Sequence, residues 1–287
     1  VAKIRPLQPR ALELSWSKEL RGWVNQWRND VIGNLDDYVM PLSWDPASFD
    51  AWLNRATEQS QTELFNLVSN SHMSELAAHV SLFSWRNWRR FVKESPSKIE
   101  LPAVQPWNEP GIAARASSWI DKSTSMIKTF DSQRNAALRN HVENAVVNGW
   151  SKNALKRSLL EKDPNTGLSE IDMLSGTRFS AEARADLIAT DQILTLNSDL
   201  GHQRLINANV SYYDWAGMLD ERERAAHVAQ EGETFRNDGQ PMTNEDLRRV
   251  GKVGQVRRTP TKGEQPGQAV RCRCYRNPNW AGSDYDS

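Results

Sequence analysis

The 287-residue chain has two cysteines, no net charge and no long apolar run, and each scarcity excludes something. Cys272 and Cys274 stand one residue apart, so a bridge between them would close a very small, strained ring. Reduced thiols in a cytoplasmic compartment are therefore expected. Lys plus Arg and Asp plus Glu both number 36, which removes any global pull toward nucleic acid or anionic membrane and leaves only local patches. No apolar stretch approaches the roughly 20 residues of a membrane helix. The start Val1-Ala2-Lys3-Ile4-Arg5-Pro6 lacks the apolar core of a signal peptide. The P-loop, the dinucleotide fingerprint, the zincin H-E-x-x-H and the nucleophile elbow are all missing. These absences set the expectation of a soluble protein made and used inside a cell, or inside a particle assembled there, with none of the common catalytic signatures.

Tryptophan, by contrast, is plentiful: 12 residues, eight of them before residue 110. From Trp16, the positions Leu20, Trp23, Val24 and Trp27 form one apolar helical face. After Pro41, Asp45-Pro46 supplies an N-cap and first-turn proline for a helix carrying Phe49, Trp52, Leu53 and Ala56 and running to about Val68. Leu76, Val80, Phe83, Asn87 and Phe91 mark a third helix. Trp16, Trp23, Trp27, Trp44 and Trp52 are more rings than a small three-helix unit is expected to bury alone. Residues 1–95 are therefore read as a helical, Trp-rich docking region, with large core residues as the plain alternative. In the third helix, Trp85-Arg86-Asn87-Trp88-Arg89-Arg90-Phe91 interleaves basic and aromatic residues, as a phosphate-gripping surface would. An aromatic inner face and an arginine outer face account for every residue there equally well.

Pro96, Pro102, Pro106, Pro110 and Gly111 mark a linker over 96–111. A central helical region spans 112–209: a helix from Ala113 to about Val147, a short one ending near Leu160, a turn at Asp163–Gly167, and a helix capped by Ser180 that reaches about Ile206. The last carries Arg184 and Asp191, two turns apart. After Asn209 the period changes, and Val210–Trp215 reads as a strand that pairs with Val270–Tyr275, within the final β-like segment Ala269–Tyr275. Between them Arg248, Arg249, Lys252, Arg257, Arg258 and Lys262 lie among glycines, read as a long flexible basic loop suited to DNA or an acidic protein surface. An acidic tail, 277–287, closes the chain. The fold expected is mainly α, with helical N-terminal and central regions and a small α+β C-terminal module at 210–276.

Within that module the spacing of Asp220, Arg222, Arg224 and His227 lets several polar heads share one face. They are read as a polar clasp, with Arg184, Asp191, Trp215, Cys272, Arg273 and Cys274, that pins the last β-like segment to the domain. In an extended segment Cys272 and Cys274 share one side and Arg273 takes the other. No cofactor is the expectation, the arginines pairing with carboxylates and His227 hydrogen-bonding near the cysteines. The alternative is zinc on His227, Cys272 and Cys274, with Asp220 or His202 as fourth ligand. As an enzyme the chain would need Asp220, Glu221, Glu223 and His227 as a metal-dependent nuclease site, where the neighbouring arginines would neutralise the carboxylates a cation needs.

Taken together, Trp215-x4-Asp220-x-Arg222-x-Arg224-x2-His227, then Gly232 and Phe235, then Pro266-Gly267 and Cys272-Arg273-Cys274, resemble the bacteriophage Mu protein F-like family of minor head proteins. The helix Arg184-Ala185-Asp186-Leu187-Ile188-Ala189-Thr190-Asp191-Gln192 extends the resemblance upstream, and Trp119–Ile127 does so more loosely. The resemblance implies a non-enzymatic role in head morphogenesis: procapsid assembly near the portal. The partners it implies are portal protein and major capsid or scaffold proteins, with packaged DNA as a further contact and the virion head as the location. The rival is a DNA-acting or toxin-related protein. The same module precedes toxin domains in bacterial polymorphic toxins, and the short run after Cys274 sets the expectation of a plain head protein.

Overall fold

A computed structural model describes residues 7–93, 95, 105–220, 223–260 and 265–281. Arg222, Lys262, Pro96, Pro102 and the tail from 282 onward lie outside the described residues. The helices are α1 (Arg10–Asn34), α2 (Pro46–Ala56), α3 (Glu58–Leu67), α4 (Asn70–Lys93), α5 (Ile112–Val147), α6 (Lys152–Leu160), α7 (Glu170–Met173), α8 (Ala181–Asn207), α9 (Ala225–Val228) and α10 (Asn244–Arg249). The strands β1 (Tyr212–Ala216), β2 (Thr234–Arg236) and β3 (Tyr275–Asn279) form one sheet in the order β2-β1-β3. The fold is mainly α with a small α+β part.

By packing, the chain divides differently from the sequential scheme of composition. One compact unit is Leu14–Met73 with Asp121–Thr190; the other holds the described residues up to Glu13, Ser74–Ile120 and those from Asp191 on.

The first unit is built on the α1 stripe. Trp16, Trp23 and Trp27 are at most 1% exposed and Trp52 4%, so four of the five rings considered for a partner fill the protein's own interior, while Trp44 is half-buried. They can do so because the unit recruits residues 121–190 as well as the first helices: Trp27, Val31, Phe49 and Trp52 share a core with Leu138, Val142, Leu155 and Ile171. Each such ring buries 150–250 Å2 of surface on the general scale for aromatic side chains, and its indole N–H still needs a partner. Trp27 Nε1 donates to Asn135 Oδ1 at 2.9 Å and Trp52 Nε1 to the Asn34 carbonyl at 3.1 Å. The fully buried Arg134 lies 4.5 Å from the Trp23 ring centre and 4.2 Å from that of Trp27. Asp45 caps α2 by accepting the Ala47 N–H, with Pro46 in the first turn. The expected continuous helix to Val68 is interrupted at Thr57, whose hydroxyl donates to the Leu53 carbonyl, while Asp30 accepts the Ser60 N–H and so starts α3 from another helix.

In the second unit, α4 buries Ala77, Val80, Ser81, Ser84, Asn87 and Trp88. The expected inner positions Leu76, Phe83 and Phe91 are only half-buried. Arg86, Arg89 and Arg90 are exposed, and Arg89 stacks over Trp85 at 4.8 Å. Arg204 on α8 is completely buried: its Nε donates to both oxygens of Glu109, at 3.2 and 3.0 Å, and an Nη to Ser81 Oγ and the Pro106 carbonyl. The turn that follows α8 closes at Asn209, which adopts φ 51°, the left-handed conformation that asparagine tolerates; the Val210 N–H returns to the Leu205 carbonyl.

That turn launches β1 through the middle of the sheet. Its partner on one side is β3, in the register Tyr212↔Asn279 to Ala216↔Tyr275. The expected pairing with Val270–Tyr275 therefore sits one segment too early. The chain at 269–272 is a turn, with the Cys272 N–H on the Ala269 carbonyl, and only from Tyr275 is it free to form a ladder. Pro278 is tolerated because β3 is an edge strand. On the other side β2 pairs Tyr213 with Phe235, a strand too short for alternation to reveal. The Asp214 carboxylate bridges both neighbours, accepting from Thr234 Oγ1 at 2.6 Å and Asn279 Nδ2 at 3.0 Å.

Candidate functional site

The loop from β1 to α9 folds around one carboxylate. Glu223 Oε2 accepts the Leu219 N–H at 2.6 Å, and Gly217 lies so close to the same carboxylate that any Cβ there would overlap it. Leu219 takes φ 54°, closing the turn, and Glu231 Oε2 accepts the Gly217 N–H at 2.6 Å. The remaining oxygen, Oε1, is 3.4 Å from Cys274 Sγ. Glu223 and His227 are four residues apart, the spacing that stacks side chains on one helical face.

His227 is 2% exposed, and its ring meets Trp215 edge-on with centres 5.4 Å apart. Its Nδ1 is 3.4 Å from Cys272 Sγ and 3.3 Å from Cys274 Sγ. Both cysteines are free and 6% exposed. The intervening Arg273 points away from them and binds Asp220, one Nη reaching the two carboxylate oxygens at 2.7 and 2.5 Å. Alternation along an extended segment thus separates two sulfurs from one guanidinium, as expected.

The segment is held on α8. Asp191 Oδ1 accepts the Arg271 N–H at 3.0 Å, and Ser198 Oγ donates to the Pro266 carbonyl at 2.6 Å. Gly267 has φ 82°, and a Cβ there would overlap the Ser198 side chain, so the Pro266-Gly267 pair is required twice over. The Gly267 N–H points at Cys272 Sγ, 3.4 Å away. The hydrogen bond from the Cys274 thiol, with others from the Gly267 and Cys274 N–H groups, outweighs burial and holds the Cys272 thiol down at about 6. Cys274, hydrogen-bonded to Cys272, buried and facing the Glu223 carboxylate, is raised. The two sulfurs behave as one proton-sharing pair.

Of the expected clasp, Trp215, Asp220, His227, Cys272, Arg273 and Cys274 come together, Asp191 joins through the Arg271 backbone, and Arg224 donates to the Val270 carbonyl at 2.9 Å. Arg184 does not belong to it: its guanidinium binds the Ser175 carbonyl and Gln133 and lies 4.7 Å from the Phe130 ring centre. Asp220 is paired with Arg273; the expected partnership of Arg184 and Asp191 with the Asp220–Arg222 group falls partly on Arg222, outside the described residues. His202, weighed as a zinc ligand, faces the Asn237 carbonyl at 3.1 Å and is pushed down to about 4 by burial and by Arg276. Glu223, Gly217, Gly267 and Ser198 complete the site. Glu223 and Gly267 were in view for other reasons, and the Glu-x3-His spacing was the signal that ties the first to His227; Gly217 depends on a tight local turn, and Ser198 on an approach between distant segments.

The basic segment is not a featureless loop. Thr243 and Asp246 form a capping box that starts α10, which ends in the exposed Arg248 and Arg249. Lys252 donates to the Gly232 carbonyl at 3.0 Å, and Arg258 to the Met242 carbonyl at 3.3 Å and Asn244 Oδ1 at 2.8 Å. Asp246 also takes the Tyr212 hydroxyl at 2.6 Å and Arg236 at 3.3 Å.

Residues 136–276, which contain every residue of this centre, match the family described as Phage Mu protein F like protein. Over that stretch the chain is similar to Mu protein F-like proteins. An uncharacterized protein of Haemophilus influenzae is 25% identical over 281 residues, covering 96% of this chain and 55% of its own length. The chain thus spans about half the length of that curated relative, and the similarity takes in the N-terminal helices that the family match leaves out. No solved structure matches it. The family connects the chain to phage head proteins and to the virion, and among the described residues no helix is long and apolar enough to cross a membrane.

Proposed function

We propose that the protein is a minor head protein that acts in procapsid assembly at or near the portal vertex, with portal protein and major capsid or scaffold proteins as its partners. The observation that carries this reading is the family match across 136–276. The site geometry supports an assembly role over a nuclease. Asp220 is neutralised by Arg273, and both Glu223 oxygens are engaged within the loop and at Cys274. Burial takes Trp16, Trp23, Trp27 and Trp52 out of a docking surface. Among the described residues of the N-terminal region the most exposed large apolar side chains are Val39, Leu42 and Phe65, at 84, 107 and 72% exposure.

Mass spectrometry of purified procapsids and mature heads tests the role directly. The protein is expected in both, and its absence from wild-type particles would refute the reading. Deleting residues 1–95 is a poor probe of docking, because they supply much of the first unit's core. Val39→Glu with Leu42→Glu is the cleaner one: lower incorporation at an unchanged melting temperature is expected. DNA contact, if it uses the exposed arginines, predicts that Arg248→Gln with Arg249→Gln flattens the salt dependence of binding by about one unit for each phosphate no longer neutralised.

A further inference from the structure

We propose that His227, Cys272, Cys274 and Glu223 form a structural zinc site that welds the β1–α9 loop to the chain entering β3. The three ligand atoms of His227, Cys272 and Cys274 lie within 4.8 Å of one another, and all three residues are buried. A zinc ion with Zn–S of about 2.3 Å and Zn–N of about 2.0–2.1 Å sets tetrahedral S···N edges at about 3.6 Å. The two S···N separations here are 3.4 and 3.3 Å, and Glu223 Oε1 lies 3.4 Å from Cys274 Sγ. At the two S···N edges the ion needs only a few tenths of an ångström of parting; Glu223 touches the trio at Cys274 alone, and its Oε1 turns further inward to become the fourth ligand.

The surroundings serve the same purpose. Both sulfurs face His227 because Arg273 is drawn to the other side by Asp220. Glu223 is aimed by the Leu219 N–H on its other oxygen, and Gly217 leaves it room. The Gly267 N–H donates toward Cys272 Sγ, the kind of support that thiolate ligands receive in metal centres. Two thiolates, one imidazole and one carboxylate suit zinc far better than magnesium or calcium, which take all-oxygen shells. With four protein ligands the site is closed, so its role is to hold the fold rather than to activate water. The ligands come from residues 223–227 and 272–274, and the ion closes a loop of 45 residues between His227 and Cys272. Two sequence features that the assembly role leaves unused, the Cys-x-Cys pair and the Glu-x3-His spacing, are thereby explained.

The test uses the full chain, purified reduced and without chelator. Elemental analysis is expected to find one zinc per chain. Cobalt(II) in its place should give the intense visible bands of a tetrahedral site together with thiolate-to-cobalt charge transfer in the near ultraviolet. Cys272→Ser should abolish binding. Because that variant can also fail to fold, Glu223→Gln is the second probe: it should bind zinc at least about tenfold more weakly while keeping a native circular dichroism spectrum. Chelation should lower the melting temperature of the wild type and leave that of Cys272→Ser unchanged. A reduced, folded chain that retains no zinc after exposure to excess metal would overturn the proposal. So would an octahedral cobalt spectrum, or wild-type affinity in Glu223→Gln. None of these readouts depends on head assembly, so failure here leaves the assembly role to its own test.

Discussion

Gly267→Ala is a sharp probe of how the C-terminal segment is fastened. The glycine sits at φ 82°, and a methyl group there would overlap the Ser198 side chain on α8. Two costs add. Placing a Cβ in the left-handed region costs about 1–2 kcal/mol, and forcing a methylene into a filled space about 1–3 kcal/mol. The sum, roughly 2–5 kcal/mol, is a large share of the stability of an ordinary domain. The backbone cannot simply step aside, because the Pro266 carbonyl next to it is held by Ser198 at 2.6 Å and the Gly267 N–H faces Cys272. Denaturant unfolding followed by circular dichroism measures the loss. The two costs separate with Ser198→Gly, which makes space for the methyl but leaves φ unchanged. The double variant should recover the clash share, about 1–3 kcal/mol relative to the sum of the singles. A neutral Gly267→Ala, or singles that simply add, would show that the turn is not packed against α8 as described.

Three other perturbations follow from the same contacts. Asp220→Ala removes a charge pair whose side chains are 27 and 36% exposed, so it should cost about 1 kcal/mol and shrink in high salt; a loss of several kcal/mol would mean the pair is far better shielded. Glu109→Ala strands Arg204, whose side chain is fully buried, and should cost about 3–5 kcal/mol, mostly restored when Arg204→Met is added, as unfolding curves of the three variants would show. At Asp246, burial alone would raise the pKa, but the Tyr212 hydroxyl, the Thr243 hydroxyl and N–H, and Arg236 overcome it and hold the carboxyl well below its usual range. A depressed folded-state pKa gives stability that is present above the unfolded value of about 3.9 and lost as pH falls below it. The gap between wild type and Asp246→Asn should therefore be widest near neutral pH and close on acidification; a gap that widens toward acid would contradict the contacts.

Much of the helical fold is legible in the sequence because helices announce themselves locally. Asp45-Pro46, the stripe from Trp16 to Trp27 and the left-handed Asn209 each act within a few residues of where they are read. What composition could not reveal is which helices share a core. The tryptophans looked too many for three helices because the count stopped at residue 95, whereas Trp27 and Trp52 pack with Leu138 and Leu155. The buried Arg204–Glu109 pair escaped for the same reason, its partners being 95 residues apart. β3 was misplaced by a few residues since Ala269–Cys272 is spent on a turn, and β2 is only three residues long, below any alternation signal.

The site shows the same division more sharply. Its members were visible as residue types, because cysteine, histidine and clustered charge are conspicuous at any position. Their pairing was not, since it depends on which oxygen or sulfur each loop turns inward. Asp220 and Glu223 are alike in sequence: two acids three residues apart in a run of arginines. The turn at Leu219 makes them different. Its N–H takes one oxygen of Glu223 and swings that carboxylate inward toward Cys274, while Asp220 is left outside to meet Arg273. The choice rests on Gly217, whose missing side chain leaves the space that the Glu223 carboxylate enters. Gly217→Ala should accordingly expel Glu223 and leave Asp220–Arg273 intact. In binding assays the Gly217→Ala chain should show the same weakened zinc affinity as Glu223→Gln, and the two changes combined should weaken it no further. A Gly217→Ala chain with wild-type zinc affinity would mean that the carboxylate finds another route inward, and that the glycine is not what distinguishes the two acids.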